Sequence, residues 1–174
     1  MEIEEEDILY LNTELFKLMK TDYNMFELHL ATQKKKGVCY YGSLEIFNVH
    51  DLKLPEFLLT ESSLTIEKCE FNKYHYPSLI QSENGNIRLE NLIYTTELND
   101  IEFNVKNGEL TIINCDFLES INCKINANRI IIMFSHNLKY INYHKVDCNV
   151  YILDGPLQNC NGLPEDEYDF DMGD

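Results

Sequence analysis

Short segments in which apolar residues alternate with other residues recur along the chain. The clearest pair is Leu64–Phe71 and Leu110–Phe117, which share the pattern Leu-x-Ile-x-x-Cys-x-Phe. Weaker copies of its first three positions start at Leu44, Ile87, Ile130 and Val150. The six starts are separated by 20, 23, 23, 20 and 20 residues. Because successive side chains of a strand point to opposite faces, each copy predicts a short strand with one apolar face.

A second series has the same period and lies between these strands. It has the form Leu-x-x-Ile or Leu-x-x-Cys, and its copies start at Leu98, Leu118, Leu138 and Leu157. One coil of 20 to 23 residues is therefore predicted to hold two or three short strands. A single coil cannot bury its apolar side, whereas stacked coils form continuous apolar ladders. In such a stack, Cys69 and Cys115 occupy the same core position two coils apart.

The middle residue of each Leu-x-Ile copy is predicted to face away from the core. These residues are Glu45, Thr65, Arg88, Thr111, Ile131 and Tyr151. Turns rich in glycine or asparagine precede several strands, at Gly42, Gly85-Asn86, Gly108 and Asn126–Asn128.

The first 43 residues are predicted to cap the solenoid. Apolar residues at the spacing of one helical face, with acidic residues before them, predict a helix at about residues 7–20. Residues 26–30 and 38–41 alternate as strands do, on either side of a turn at 34–37. Residues 1–43 are therefore predicted to form a helix followed by an irregular first coil or a hairpin.

The strings Ser63–Phe71 and Gly108–Phe117 resemble coils of the right-handed parallel β-helix proteins of the pectin-lyase-like superfamily. They are also similar to leucine-rich repeats, whose pattern is Leu-x-Leu-x-x-Asn/Cys-x-Leu. Strand-like segments occur twice per coil with no helical pattern between them, which favours the β-helix. We therefore predict an all-β solenoid of about six 20–23-residue coils over residues 44–163, followed by an acidic tail at 164–174. A right-handed parallel β-helix is the preferred form, a leucine-rich-repeat solenoid is the alternative, and either carries the N-terminal capping helix.

The charge of the chain restricts what this solenoid could bind. The 174 residues include 30 acids against 14 lysines and arginines, a formal net charge of −16. Phosphate backbones and anionic membrane surfaces attract Lys and Arg, so neither direct nucleic-acid binding nor membrane binding is predicted. Eleven of the acids lie in residues 2–7 and 165–174, so residues 8–164 carry a net charge of only −5. This distribution predicts a basic partner that meets a charged chain end, rather than an evenly acidic rod.

The acidic tail sets two aromatic residues between carboxylates. Tyr168 and Phe170 can anchor in an apolar pocket while the carboxylates meet Lys and Arg around it. The tail resembles the acidic-aromatic segments with which histone chaperones hold histones, and acidic leucine-rich nuclear proteins also combine a solenoid with an acidic tail. A tail that only solvates the protein is the alternative. The predicted partner-binding residues are Glu165, Asp166, Glu167, Tyr168, Asp169, Phe170 and Asp171.

Residues with catalytic or metal-binding chemistry form no local pattern in the sequence. The six cysteines include no Cys-x-x-Cys pair and predict reduced, buried thiols, and the five histidines are scattered. The pectin-lyase-like resemblance implies lyases with Asp-bound calcium, or hydrolases with paired Asp residues beside a His, but the neighbour of Asp100 is Asn99. The basic cluster Lys34–Lys36 predicts a solvated turn. We therefore predict no catalytic residue, no metal site and no cofactor.

These features predict a non-enzymatic interaction protein that binds, and inhibits or shelters, a basic partner through a solenoid face and the tail. The partner is a toxin, a histone-like protein or the protein face of a ribonucleoprotein particle, and the free protein is a monomer. The sequence begins with neither a basic, apolar leader nor a run of membrane-spanning length, which predicts a cytoplasmic location and leaves nuclear and host-cell locations open.

Three alternatives stay open. The first is an inhibitor that mimics nucleic acid, the second a degenerate carbohydrate-active β-helix that would use Asp100 or Asp116, and the third a viral structural subunit. Mimicry would use outward-facing acids such as Glu45, Glu67, Glu90 and Glu109.

Overall fold

The computed structural model of the chain describes residues 8–55, 57–60, 63–72, 78–142, 149–153 and 159–161. These residues form an all-β parallel solenoid with one short helix. The elements are β1 (Ile8–Leu18), α1 (Lys20–Thr32), β2 (Gly37–Phe47), β3 (Phe57–Thr60), β4 (Leu64–Glu67), β5 (Ser78–Ser82), β6 (Ile87–Glu90), β7 (Glu97–Ile113), β8 (Ser120–Met133), β9 (Tyr140–Asn142), β10 (Asn149–Leu153) and β11 (Asn159–Asn161).

One ladder of parallel strands confirms the main repeat. It contains the second half of β1, then β2, β4, β6, the end of β7, the end of β8 and β10. The first residues of the six Leu-x-Ile copies are direct partners in this ladder: Leu44, Leu64, Ile87, Leu110, Ile130 and Val150. We call this ladder side one of the solenoid.

Two further ladders form the other sides. Side two contains the first halves of β1 and β2, then β3, β5 and the central parts of β7 and β8. Side three contains the beginnings of β7 and β8, then β9 and β11. The long strands β7 and β8 pass through all three sides and bend where their mutual register shifts, between Asn99 and Glu102 and between Val105 and Glu109. The coils that contain β7 and β8 therefore have three strand segments, whereas the strand segments described in the two coils from Leu44 and Leu64 lie on sides one and two.

The second series is aligned only in part. Ile121, Ile141 and Cys160 are partners on side three, as the series predicts. Leu98, however, pairs with Ile121 rather than taking the position of Leu118, so that part of the prediction is wrong. The reason is the register shift within β7, which places the residues after Asn99 on side two.

The core lies inside the three ladders. Side one contributes fully buried apolar pairs in every coil, including Leu64 with Ile66 and Leu110 with Ile112. Each such side chain stabilises the fold by roughly 1.5–3 kcal/mol through removal of apolar surface from water.

The predicted equivalence of Cys69 and Cys115 is confirmed. Both thiols are buried, and each donates to the carbonyl oxygen two residues earlier, Cys69 Sγ to Glu67 O at 3.2 Å and Cys115 Sγ to Ile113 O at 3.3 Å. Ser135 holds the same position one coil further on, and its Oγ donates to Met133 O at 3.2 Å. In these three coils a small donor therefore satisfies a carbonyl at the end of side one, whereas Val49 and Leu92 hold the same position in two other coils as buried apolar residues.

A column of left-handed residues turns the chain at the end of side one. Their φ angles lie between 49° and 56°, and they are Asn48, Lys68, Asn91, Asn114 and Phe134. The N–H of each donates to a carbonyl oxygen of the next coil at 3.0 Å, as Asn91 does to Ile113 and Asn114 to Met133. Asparagine tolerates this conformation better than most residues, which explains its frequency in the column.

The N-terminal prediction requires correction. Residues predicted as a helix at about 7–20 form strand β1, and the helix α1 covers Lys20–Thr32 and so includes the strand predicted at 26–30. Because residues 26–30 are helical, they form no hairpin with 38–41, and strand β2 instead pairs in parallel with β1. The hydrogen bonds that β2 offers along its whole length outweigh the local helical periodicity of residues 8–18. Strand β2 itself crosses the predicted domain boundary after Ser43.

Helix α1 covers the N-terminal end of the core. Tyr23, Phe26 and Leu30 are buried in the same apolar cluster as the solenoid interior. The Tyr23 hydroxyl donates to the carbonyl oxygen of Lys53 at 2.5 Å, and burial raises the pKa of Tyr23 well above its ordinary value. The chain thus has a capping helix, but this helix begins at Lys20, thirteen residues after its predicted first residue.

The lysine cluster ends this helix. Lys34 adopts φ 53°, and the N–H groups of Lys34 and Lys35 donate to Ala31 O and Leu30 O. This pair of bonds is the Schellman arrangement, and positive charge at a helix C-terminus interacts favourably with the helix dipole. The predicted turn at 34–37 is therefore present, but it joins a helix to a strand.

The turn glycines give a test of coil stacking. Gly108 lies against Gly85 of the preceding coil, and a Cβ atom on Gly108 would come within 2.1 Å of Gly85 O. We expect Gly108→Ala to lower the free energy of unfolding by about 1–3 kcal/mol, because backbone must move to admit the methyl group. Asn128→Ala, at the equivalent exposed position one coil on, is the matched control and should change stability by less than about 0.5 kcal/mol. Urea denaturation measures both, and equal effects would contradict the stacking.

The corner column gives a second test. Phe134 is half-exposed and adopts φ 51°, a conformation that is costly for a bulky side chain. We expect Phe134→Asn to raise the free energy of unfolding by about 1 kcal/mol. Tyr140→Asn replaces a similarly exposed aromatic residue within strand β9 and should give no such gain. A thermal or urea unfolding series checks this, and a loss of stability in Phe134→Asn would argue against corner strain.

Candidate functional site

The charged residues on the outer surfaces of sides one and two pair with each other. Ion pairs join successive coils, among them Lys106 with Glu83 at 3.3 Å and Lys124 with Glu102 at 3.2 Å. The four acids that nucleic-acid mimicry would use are all paired: Glu45 with Lys17, Glu67 with Lys68, Glu90 with Arg88 and Glu109 with Arg129. These surfaces are therefore largely neutralised by the chain itself.

Amide side chains also bond from coil to coil on side two. Asn104 Nδ2 donates to Gln81 Oε1 at 3.3 Å, and Asn126 Nδ2 donates to Asn104 Oδ1 at 3.0 Å. Their donors and acceptors are partly used within the row, so side two offers a partner fewer polar groups than its composition suggests.

The surface at the beginning of side three has a different character. Tyr94 and Phe117 follow the corner residues Asn91 and Asn114 by three positions each, so they come next to each other in successive coils. Their ring centroids are 5.1 Å apart at an interplanar angle of 54°, and their exposed fractions are 60% and 47%. Two aromatic rings in tilted contact thus lie on the surface instead of in the core.

A cleft of about 360 Å³ opens beside these rings. Its lining includes Tyr94, Thr95, Glu97, Asn99 and Asp100. Asn99 Nδ2 donates to Glu97 Oε2 at 3.2 Å, which orients that carboxylate, and Asp100 adopts φ 59° at the bend from side three to side two. Among the residues that the structure describes, neither Glu97 nor Asp100 forms an ion pair with Lys or Arg.

We call Tyr94, Glu97, Asn99 and Asp100 the acidic-aromatic cleft; the ring of Phe117 contacts Tyr94 beside it. It combines the exposed ring of Tyr94 with two carboxylates that form no ion pair with a Lys or Arg among the described residues. Such a site can attract the charged end of a Lys or Arg side chain and hold the aliphatic part of that side chain against the aromatic ring.

Two histidine–carboxylate contacts lie just after the left-handed corner residues that end side one. His136 Nδ1 is 3.1 Å from Asp116 Oδ1, and His50 Nδ1 is 3.4 Å from Glu70 Oε2. Within the described part of the chain, no group of three or more His, Cys, Asp or Glu side chains could hold a metal ion. His75 and His144 fall outside that part.

Four of the six cysteines have the reduced, buried state that their spacing predicts. They are Cys39, Cys69, Cys115 and Cys123, and all four are buried thiols. Burial raises the thiol pKa of Cys69 and Cys115 to about 11 and that of Cys123 to about 12. Neutral thiols at physiological pH are poor nucleophiles and poor metal ligands.

The predicted binding residues Glu165 to Asp171 lie outside the described residues, so their position stays a prediction. From the sequence, Asp100 lacks a neighbouring Asp and is predicted to act only in the carbohydrate-active alternative, while Phe117 is a repeat position. The contact between the Tyr94 and Phe117 rings is not among the predictions, although their 23-residue separation matches the spacing of Ile87 and Leu110.

Comparison with known proteins gives no family assignment: no family model, no curated protein and no solved structure matches the chain. Among the described residues, no helix has the length and apolar character needed to cross a membrane.

The thiol pKa values predict how the cysteines react. We expect Cys69, Cys115 and Cys123 to resist alkylation at pH 8 in the folded protein and to react when urea unfolds it. Because the folded pKa values exceed the ordinary value of 9.0, unfolded thiols lose protons first, and stability should fall as pH rises above about 9. Mass spectrometry after timed iodoacetamide treatment checks the reactivity. Rapid labelling of all three in the native protein would contradict their burial.

Proposed function

We propose that the protein is a non-enzymatic interaction protein that binds, and inhibits or shelters, a basic partner. The partner is a toxin, a histone-like protein or the protein face of a ribonucleoprotein particle. Binding uses the acidic-aromatic cleft together with the acidic tail at residues 165–171. The free protein is a monomer in the cytoplasm.

The observation that carries this proposal is the contrast between the sides. Ion pairs neutralise acids on sides one and two, whereas Glu97 and Asp100 form no ion pair with any described Lys or Arg and share a cleft with the exposed ring of Tyr94. Aromatic anchors surrounded by polar groups are typical of the residues that dominate protein–protein binding energy. A net charge of −16 would also attract a basic protein from a distance, and salt would weaken that attraction.

A second part of the proposal concerns the type of solenoid. We infer a right-handed parallel β-helix of about six coils, in preference to a leucine-rich-repeat solenoid. Six Leu-x-Ile copies in one ladder and strand segments on three sides support it. In the described residues, no helix recurs from coil to coil, as leucine-rich repeats would require.

Nucleic-acid mimicry receives less support. It needs free carboxylates at regular spacing along one face, and the four acids it would use each contact a Lys or Arg. A viral structural subunit has no specific observation in its favour.

A degenerate carbohydrate-active β-helix is the second candidate function. The observation that favours it is the place of Asp100 and Glu97 in one cleft next to Tyr94, since sugars bind to aromatic rings and carboxylates. Turnover of a uronate polymer that disappears in Asp100→Asn would support this candidate. Inactivity over a panel of such polymers would leave the interaction protein as the better proposal.

Capture of the partner tests the main proposal. We expect the immobilised full chain to retain a basic protein from a lysate of its source cells, and a chain without residues 165–174 to retain much less. The captured protein is identified, purified and its affinity measured by calorimetry at 50 and 300 mM salt. A Kd at least about tenfold weaker at the higher salt is expected for a charge-driven complex.

The combined variant Glu83→Gln with Glu102→Gln serves as the control for charge. It removes two carboxylates from side two, where both are paired, and should bind the purified partner almost as the unmodified chain does. The proposal would be ruled out by a purified partner that is acidic. It would also be ruled out by a partner whose affinity changes neither with salt concentration nor on deletion of the tail.

A further inference from the structure

We propose that the acidic-aromatic cleft receives an arginine side chain of the basic partner. This inference rests on the proposed function and narrows it from a basic protein to a guanidinium group. The cleft supplies carboxylate acceptors for its N–H groups, a ring face for its charge and apolar ring surface for the aliphatic part of the side chain.

The carboxylates provide the acceptors. Glu97 and Asp100 line the same cleft and have no Lys or Arg partner among the described residues. One oxygen of Glu97 accepts from Asn99 Nδ2 at 3.2 Å, which fixes that carboxylate and leaves its second oxygen for a donor. A carboxylate held in advance by a neighbouring amide loses less entropy when it binds a cation.

The rings provide a surface for the face of the cation. Tyr94 lies in the lining of the cleft, and Phe117 supports it from the next coil at a centroid distance of 5.1 Å. A cation over an aromatic face gains about 0.5–2 kcal/mol, depending on its exposure. The aliphatic part of the same side chain would cover apolar ring surface that now faces water.

The fold already holds a cation in this way elsewhere. On side one, Lys17 Nζ lies 3.0 Å from Glu45 Oε1 and 4.1 Å from the centroid of the Phe47 ring. That intramolecular site combines one carboxylate with one ring. The cleft offers two carboxylates and the ring of Tyr94, and its cation would come from the partner.

The arrangement favours arginine over lysine. A guanidinium group is planar, donates from five N–H groups and can stack on a ring while its edge bonds to carboxylates. An ammonium group has no flat face and is more strongly hydrated. Two carboxylates beside an exposed ring therefore match the shape of arginine as well as its charge.

Titration of the labelled full chain with small arginine compounds tests the inference. The probes are N-acetyl-arginine methylamide and its lysine and citrulline analogues, followed by amide shifts in ¹H–¹⁵N spectra. We expect saturable shifts at Tyr94, Glu97 and Asp100 with arginine, at least about threefold weaker binding with lysine, and no saturable binding with uncharged citrulline.

Variants locate the binding. Asp100→Asn and Tyr94→Ala should each weaken arginine binding by about fivefold or more, whereas Tyr94→Phe keeps the ring and should bind nearly as well as the unmodified chain. Glu83→Gln removes an equal charge on side two and should leave the affinity unchanged. The dispersion of each spectrum reports whether the variant is folded, so a loss of binding can be separated from a loss of structure.

The outcomes separate this inference from the proposed function. Equal affinities for the arginine and lysine probes, or shifts confined to other residues, would overturn the arginine site. If a basic partner is captured through the tail while cleft variants bind it normally, the proposed function stands and the arginine site fails. If the cleft binds the arginine probe saturably but no basic partner is captured, the arginine site is supported and the proposed function is contradicted.

Discussion

Backbone hydrogen bonds between parallel coils determine the rest of this structure. Every paired strand in the described residues is parallel, so each coil must present its donors and acceptors in register with the next. At the end of side one this requirement extends into the turn, where left-handed residues such as Asn91 and Asn114 donate across to the following coil. The apolar ladders, the buried column that includes Cys69, Cys115 and Ser135, and the surface rows all follow from that alignment, because equivalent residues are brought to the same height in successive coils.

The parts of the fold that the sequence predicts are those repeated in every coil. The Leu-x-Ile copies align because both their period and their alternation match what a buried parallel ladder requires. Prediction fails where a residue obeys a long-range constraint that leaves no local trace. Residues 8–18 have helical spacing, yet pairing with β2 makes them a strand, and the register shift after Asn99 moves Leu98 out of its predicted position. The helix α1, by contrast, ends at a Schellman turn whose left-handed residue is a lysine, which gave no glycine signal in the sequence.

The candidate site, like the fold, is predictable from the sequence only in part. Asp100 and Asn99 attract attention as polar neighbours in the chain, but their relation to Tyr94 and Phe117 depends on how one coil stacks on another. The sequence also suggests many acidic surfaces, since it contains 30 carboxylate side chains. Only the structure distinguishes acids such as Glu83 and Glu102, which are paired between coils, from Glu97 and Asp100. Charge pairing is therefore a more useful guide to the binding surface than charge itself.

The corner column has a consequence for how such a protein can change its length. Each corner residue bonds to the coil that follows it, so a segment of 20 to 23 residues contains its own strand segments, its turn and the donor that joins it to its neighbour. A duplicated segment would bring all of these with it and leave no backbone group unsatisfied at the two new junctions. Duplication or loss of a whole coil therefore disturbs the fold less than insertion of a few residues within a strand. Evolution could lengthen or shorten the solenoid in steps of one coil while keeping a site that lies across only two of them.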